Sequence, residues 1–264
     1  MNIKINVVFL VGCSAVLALS LSNADDWPRF RGLNGHAASS DNAPAEWTES
    51  ENIAWKSKIP GRGSSSPIIV GDQIFLTSYT GYGQSDDDSG EKTELRLNTL
   101  CFDRGSGKLI WNHSIEASAD EQTLANPASR NGKKKQVAGH GYASSTPVSD
   151  GESVFAFFGA SGAVAYDLKG NQLWQNDELG FKTVGFGSAS SPVVYGDLLY
   201  INASIESDTL WALDKRTGKV VWKNDNIIKC WSCPCLAKNE KGETELVINQ
   251  KFKVLGLNPL TGEQ

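Results

Sequence analysis

The sequence predicts an all-β protein, a β-propeller of four-stranded antiparallel blades, about four of them present. Three observations carry that prediction. A phrase of one kind recurs four times, the later copies fall at a period in the low forties, and each copy reads as two tight hairpins. The first half of the phrase is "SSSPIIVGDQIFLTS" from Ser64, "SSTPVSDGESVFAFF" from Ser144, "ASSPVVYGDLLYINA" from Ala189 and, more loosely, "WSCPCLAKNEKGETELVIN" from Trp231. The second half follows as "CFDRGSGKLIW", "AYDLKGNQLW", "ALDKRTGKVVW" and "GLNPLTGEQ". The anchoring prolines Pro67, Pro147, Pro192 and Pro234 stand 80, 45 and 42 residues apart, so the first unit carries the large insertions.

The first 24 residues stand outside this pattern. Lys4 opens them, Val7 to Leu21 is almost unbroken apolar sequence, and "SNA" ends at Ala24 as a small-residue cleavage site. The apolar run is short for a span, which needs about 20 residues, so we expect a secretory signal over 1–24 and no transmembrane helix in the mature chain 25–264. "LVGC" at Leu10 to Cys13 has the look of a lipidation site. The apolar run ahead of Cys13 is only about half the usual length and continues past it, so cleavage after Ala24 is preferred. The expected location is extracytoplasmic, periplasmic or secreted. Loss of Lys4 takes the net charge from −5 to −6, and "KKK" at Lys133 to Lys135 reads as a solvated loop, so nothing points to a nucleic acid.

Each strand of the unit has a local reason. "SPIIV" and "IFLTS" are apolar runs joined by Gly71-Asp72, a turn dipeptide, and read as an antiparallel pair. "LWALD" and "KVVWK" form a second pair around "KRTG", where Asp214 can bond the turn backbone and Gly218 can take positive φ. Asp103 with Gly107, and Asp167, occupy the same places in their copies. Trp111, Trp174 and Trp222 recur just after the turn, where a large aromatic can fill the wedge between neighbouring sheets. The blades are expected near 60–115, 143–176, 187–225 and 230–264.

These residues resemble the pyrroloquinoline-quinone-type repeat, A-x-D-x-x-T-G-x-x-x-W, of quinoprotein alcohol dehydrogenase-like propellers. Ala212, Asp214, Thr217, Gly218 and Trp222 match it throughout; Cys101, Asp103, Ser106, Gly107 and Trp111 match with two substitutions. Ala165, Asp167, Gly170 and Trp174 match with one residue deleted, and Gly256, Asn258, Thr261 and Gly262 match with Asn for Asp. "DWPRFRG" and "IAWKSKIPG" are similar to the opening of secreted members. The resemblance implies a full ring of seven or eight blades, tryptophans docked between blades, and a chain start that completes the last blade. We therefore expect residues 51–59 to be a ring-closing outer strand. The last copy stops at "TGEQ", two residues short of its Trp, which reads as truncation of a longer protein and an open arc; the other account is a four-blade ring closed by residues 52–59.

In a blade the second-to-third strand loop shares a face with the link to the next blade. The insertions Thr80 to Asn98 and Glu116 to Ala143, with Asp177 to Ser188, therefore decorate one face, where function on a rigid scaffold concentrates. Tyr82, Arg130, His140, Tyr142 and Phe186 are the candidate ligand or partner residues; packing of long loops is the competing role for each. No residue matches the catalytic Asp or calcium ligands of the quinoprotein dehydrogenases, and Asp103, Asp167 and Asp214 have turn roles sufficient to explain them. His36, His113 and His140 are too scattered for a metal cluster. "CWSCPC" brings Cys230, Cys233 and Cys235 together; in an oxidising compartment a disulfide of Cys230 with Cys233 or Cys235, or buried thiols, is favoured over a metal site. Cys101 reads as a buried thiol in a strand.

The function expected is a secreted, non-catalytic binding scaffold contacting a protein or glycan, with no cofactor. The alternative is a pyrroloquinoline-quinone- and calcium-dependent dehydrogenase with its catalytic blades beyond residue 264. The sequence leaves the oligomeric state open.

Overall fold

The computed structural model describes residues 26–33, 35–39, 44–85, 90–123, 139–184 and 186–264. Arg130, Cys13, the expected leader 1–24 and Lys133 to Lys135 lie outside the described residues. Among the described residues fifteen strands form four separate antiparallel sheets in chain order. The first holds β1 (Ile68–Val70), β2 (Gln73–Thr80), β3 (Arg96–Asp103) and β4 (Leu109–Glu116). The second holds β5 (Val148–Ser149), β6 (Ser153–Phe157), β7 (Ala163–Asp167) and β8 (Gln172–Asn176). The third holds β9 (Val193–Tyr195), β10 (Leu198–Ala203), β11 (Thr209–Asp214) and β12 (Val220–Asn224). The fourth holds β13 (Cys235–Lys238), β14 (Thr244–Gln250) and β15 (Lys253–Leu257), and is three-stranded. Each sheet is a meander, so each is a blade. An α-helical turn, α1 (Ala119–Thr123), sits in the described part of the link between blades 1 and 2. Among the described residues no helix is long and apolar enough to cross a membrane.

The middle strands of blades 2 and 3 are buried on both faces because each of these sheets is sandwiched between neighbours. Three apolar layers result. Phe75, Leu97 and Ile115 meet Val154, Val164 and Tyr166 between blades 1 and 2. Phe155, Phe157 and Trp174 meet Leu199, Ile201 and Leu213 between blades 2 and 3, and Tyr200, Leu210 and Trp222 meet Leu246, Ile248 and Leu255 between blades 3 and 4. Burying one such side chain contributes about 1.5–3 kcal/mol.

The outer hairpin locks each blade to the next. Asp214 Oδ1 accepts from the Thr217 amide at 2.9 Å and the Thr217 hydroxyl at 2.9 Å, which closes the turn. Asp167 accepts from the Asn171 side-chain amide at 2.7 Å and its backbone amide at 2.8 Å, and Asp103 from the Ser106 hydroxyl at 2.5 Å and its backbone amide at 2.7 Å. These hydrogen bonds hold all three carboxyls below the usual range. The register slips by one residue at the same place in each complete blade, between Cys101 and Phe102, Ala165 and Tyr166, and Ala212 and Leu213, a bulge beside the tryptophan.

The indoles then reach forward. Trp111 donates to the Leu168 carbonyl at 3.3 Å, Trp174 to Lys215 at 2.8 Å and Trp222 to Pro259 at 3.0 Å. In each case the acceptor is the residue after the turn Asp or Asn of the following blade. The turn glycine is where the ring lands: Gly218 has φ 69°, and a Cβ on it would sit 2.6 Å from the Trp174 ring. Glycine there serves both the left-handed backbone and the close approach.

Residues 26–29 run along the inner strands. Trp27 exchanges two backbone hydrogen bonds of 2.9 Å with Ile69 of β1, and the Ser149 amide of β5 donates to Pro28 at 2.8 Å. Together with Val70, Val148, Val194 and Leu236, one from the inner strand of each blade, this segment lines an axial groove of about 460 Å³.

Candidate binding face

The insertions of blade 1 fold over one face of the arc and are tied together there. Lys92 pairs with Glu121 at 3.6 Å, joining the β2–β3 insertion to α1. Ser118 donates to the Ala160 carbonyl at 3.0 Å, and the Phe181 amide donates to Glu206 at 3.2 Å, which carries the link after β8 onto blade 3.

Two aromatic groups stand on this face. Tyr142 meets Tyr79 edge to face at 5.3 Å between ring centroids and Tyr82 at 6.0 Å, with the Lys92 ammonium 5.6 Å from its centroid. Tyr82 and Tyr79 are buried and Tyr142 is half-buried, so Tyr82 supports Tyr142 from below. The second group is open to solvent. Phe186 is 62 % exposed and Trp231 41 % exposed, and their rings meet edge to face at 6.0 Å. His140 lies 6.2 Å from Phe186, and its amide donates to the Phe186 carbonyl at 2.8 Å. The Trp231 indole donates to the Gly187 carbonyl at 2.9 Å. The structure thus joins His140 to Phe186 and Tyr82 to Tyr142.

Below the aromatics lies a polar layer that sequence reasoning missed. A small cavity of about 10 Å³, room for one water, is lined by Glu121, Tyr142, Thr183 and Ser188 among others. The Ser188 hydroxyl donates to Glu206 Oε1, while Glu206 Oε2 is buried without a partner. Burial pushes the Glu206 carboxyl up to about 7, against the pull of the Ser188 hydrogen bond. Burial also raises Glu121, opposed by Lys92. Glu206 sits in the uninserted β10–β11 link and has no motif around it. Trp231 lies inside "CWSCPC", where the cysteine spacing is the stronger sequence signal.

The four described cysteines are free thiols, so the disulfide expected among Cys230, Cys233 and Cys235 is not formed here. Their surroundings divide them: Cys230 is buried against Asn202, whose amide donates to its sulfur at 3.3 Å, while Cys233 accepts from the Ser191 amide at 3.2 Å. Cys235 is exposed and lines, with Cys233, Arg29 and Trp231, a groove of about 420 Å³ at the axial mouth. Cys101 is buried, its thiol pushed up to about 12 by desolvation.

Among the described residues no group of three or more His, Cys, Asp or Glu side chains could hold a metal ion, and the cavity beside the buried carboxylates admits about one water.

Repeated antiparallel blades with forward-docked tryptophans define a β-propeller of the pyrroloquinoline-quinone-type repeat class. The chain belongs to the family described as outer membrane protein assembly factor BamB, whose model matches residues 35–224 and 98–264. Among solved structures it is similar to BamB from Moraxella catarrhalis, at 16% identity and TM-score 0.50 over 80% of this chain and 53% of that one. It is also similar to quinohemoprotein alcohol dehydrogenase from Comamonas testosteroni, at 12% identity and TM-score 0.56 over 92% of this chain and 41% of that one. The chain therefore spans about half the length of these structures, and the likeness concerns the fold. No curated protein matches it.

Proposed function

We propose that the chain is an extracytoplasmic, non-catalytic scaffold that holds a protein partner against its loop-decorated face. The observation that supports this best is the exposed pair Phe186 and Trp231 beside His140. Large aromatics fixed to a rigid backbone are the side chains that carry interface energy, because little rotamer freedom is lost when a partner covers them. The family's description as an assembly factor agrees with a protein partner. Export by the leader 1–24, without lipid on Cys13, would place the face outside the cytoplasm.

The test is a photo-crosslinking residue introduced at position 186, with one at Ile110 on the outer strand as control. Position 186 should label one envelope protein and Ile110 should not. Equal labelling from both positions removes the face from the reading, and glycan-array binding that Phe186→Ala abolishes would make the partner a glycan.

A second reading is a pyrroloquinoline-quinone-dependent dehydrogenase using calcium. Glu206 favours it, as a buried carboxyl poised near neutrality is of the type that serves as a general base. Calcium-dependent quenching of protein fluorescence by the quinone would carry this reading, and its absence would remove it.

A further inference from the structure

The groove at the axial mouth brings together two distant parts of the chain. One wall comes from Trp231 to Cys235, which lead into β13, the inner strand of blade 4, and another from Arg29, Phe30 and Arg31. The segment 29–37 turns back on itself there. The Gly32 amide donates to the Arg29 carbonyl at 3.0 Å and the Ala37 amide to the Arg31 carbonyl at 2.9 Å, with Arg31 at φ 66°. The Arg29 guanidinium is fixed by donating from Nη2 to the Leu33 carbonyl at 2.8 Å and from Nε to the Gly32 carbonyl at 3.1 Å. These acceptors are neutral, and among the described residues no Asp or Glu lines the groove. In a chain with 30 acidic side chains against 25 basic ones, the groove is a local reversal of charge that draws anions.

Two thiols line the same groove in different settings. Cys233 is half-buried, its sulfur accepting from the Ser191 amide at 3.2 Å. Cys235 is exposed, and the charge of its thiolate acts on the Arg29 guanidinium. Cys101 and Cys230 are buried. An exposed sulfur among fixed cations is the setting in which cysteines react, whereas buried ones are inert. Trp231 and Phe30, 41% and 38% exposed, add apolar surface beside it. At about 420 Å³ the groove has the size that takes a small molecule.

We propose that this groove takes small disulfides bearing carboxylates, and that Cys235 exchanges with them and holds one half as a mixed disulfide. Arg29 and Arg31 receive the carboxylates, as guanidinium groups do in charge-assisted pairs. The Cys235 thiolate attacks one sulfur of the incoming disulfide. A bond forms between the Cys235 sulfur and that sulfur, the original S–S bond breaks, and the other half leaves as a thiolate that takes up the proton Cys235 gave away. The disulfide itself is the oxidant, so the exchange balances without a further reagent. The inference does not depend on what the loop-decorated face binds.

Intact mass and peptide mapping of the purified chain, sampled over time with oxidised glutathione, test it. Each half of that disulfide carries net negative charge; cystamine, whose halves are cations, is the comparison. One glutathionyl adduct is expected, on Cys235, and Cys235→Ser should abolish it. Absence of an adduct overturns the proposal, and so does an adduct that forms first on Cys233. The arginines have their own test in Arg31→Asn, since asparagine accepts the left-handed backbone that Arg31 adopts and the side chain is exposed. The variant should react with oxidised glutathione about tenfold more slowly while its rate with cystamine does not fall. Equal slowing with both disulfides would mark Arg31 as structural, and unchanged rates with both would mark it as idle; either result overturns the anionic selectivity.

Discussion

The seams between blades and the face above them place aromatic side chains under opposite constraints. At the seams, Trp111 and Trp174 are 9% and 8% exposed, each indole N–H is fixed to a carbonyl of the next blade, and each ring rests where the turn has no side chain. On the face, Phe186 and Trp231 lean on one another with much of their surface in water. The seam aromatics are committed to the fold. Those of the face contribute little to it and are available to a partner. Beneath the face, Glu121 and Glu206 place carboxyls in buried positions, whereas the buried polar side chains of the blade strands, such as Asn98 and Asn202, are neutral.

That contrast can be broken by substitution. Trp174→Ala should cost about 3–5 kcal/mol in urea unfolding, through lost burial and a cavity at the seam; a cost under about 1 kcal/mol would erase the distinction. Glu206→Gln tests the polar layer through pH. The folded carboxyl titrates near 7 against an ordinary value of 4.5, so its stabilising protonation is complete below the ordinary value and is lost as pH rises through 7. The variant should be more stable than the parent by on the order of 2 kcal/mol at about pH 8, and close to it at about pH 4. Identical pH profiles would show that Glu206 is hydrated. Gly218→Ala should cost about 2 kcal/mol, and Gly196→Ala, with φ 59° and nothing within 4 Å, about 1 kcal/mol; the difference isolates the Trp174 contact. Phe186→Ala should shift stability by no more than about 0.5 kcal/mol, as measured by thermal melting.

The blades were legible because their determinants are local. The Gly71-Asp72 turn, the Asp214 to Thr217 hydrogen bonds and the tryptophan after each turn all lie within one short stretch. The destination of each indole was not legible, since Trp174 and Lys215 are 41 residues apart and nothing beside either names the other. His140, Tyr142 and Phe186 could be assigned to one face from loop placement alone. Burial of Tyr82, the lone oxygen of Glu206 and the Lys92–Glu121 pair arise where separate loops meet, and an isolated Glu in a polar link carries no mark of being buried. Proximity of the three cysteines in sequence suggested a bond, whereas Cys230 turns inward to β10 and Cys235 outward to the axial mouth.

The axial course of residues 26–29 sets an order of assembly. Each seam joins elements within about one blade of sequence, so blades can add one after another at low contact order. The hydrogen bond from Ser149 to Pro28 closes a loop that spans two blades, and Arg29 reaches a groove whose walls include Cys235 of the fourth. Residues 26–29 are therefore held back until later blades exist to receive them. Pulse-labelled hydrogen exchange during refolding should find the Ile69 amide, which donates to Trp27, protected after those of β10 and β11.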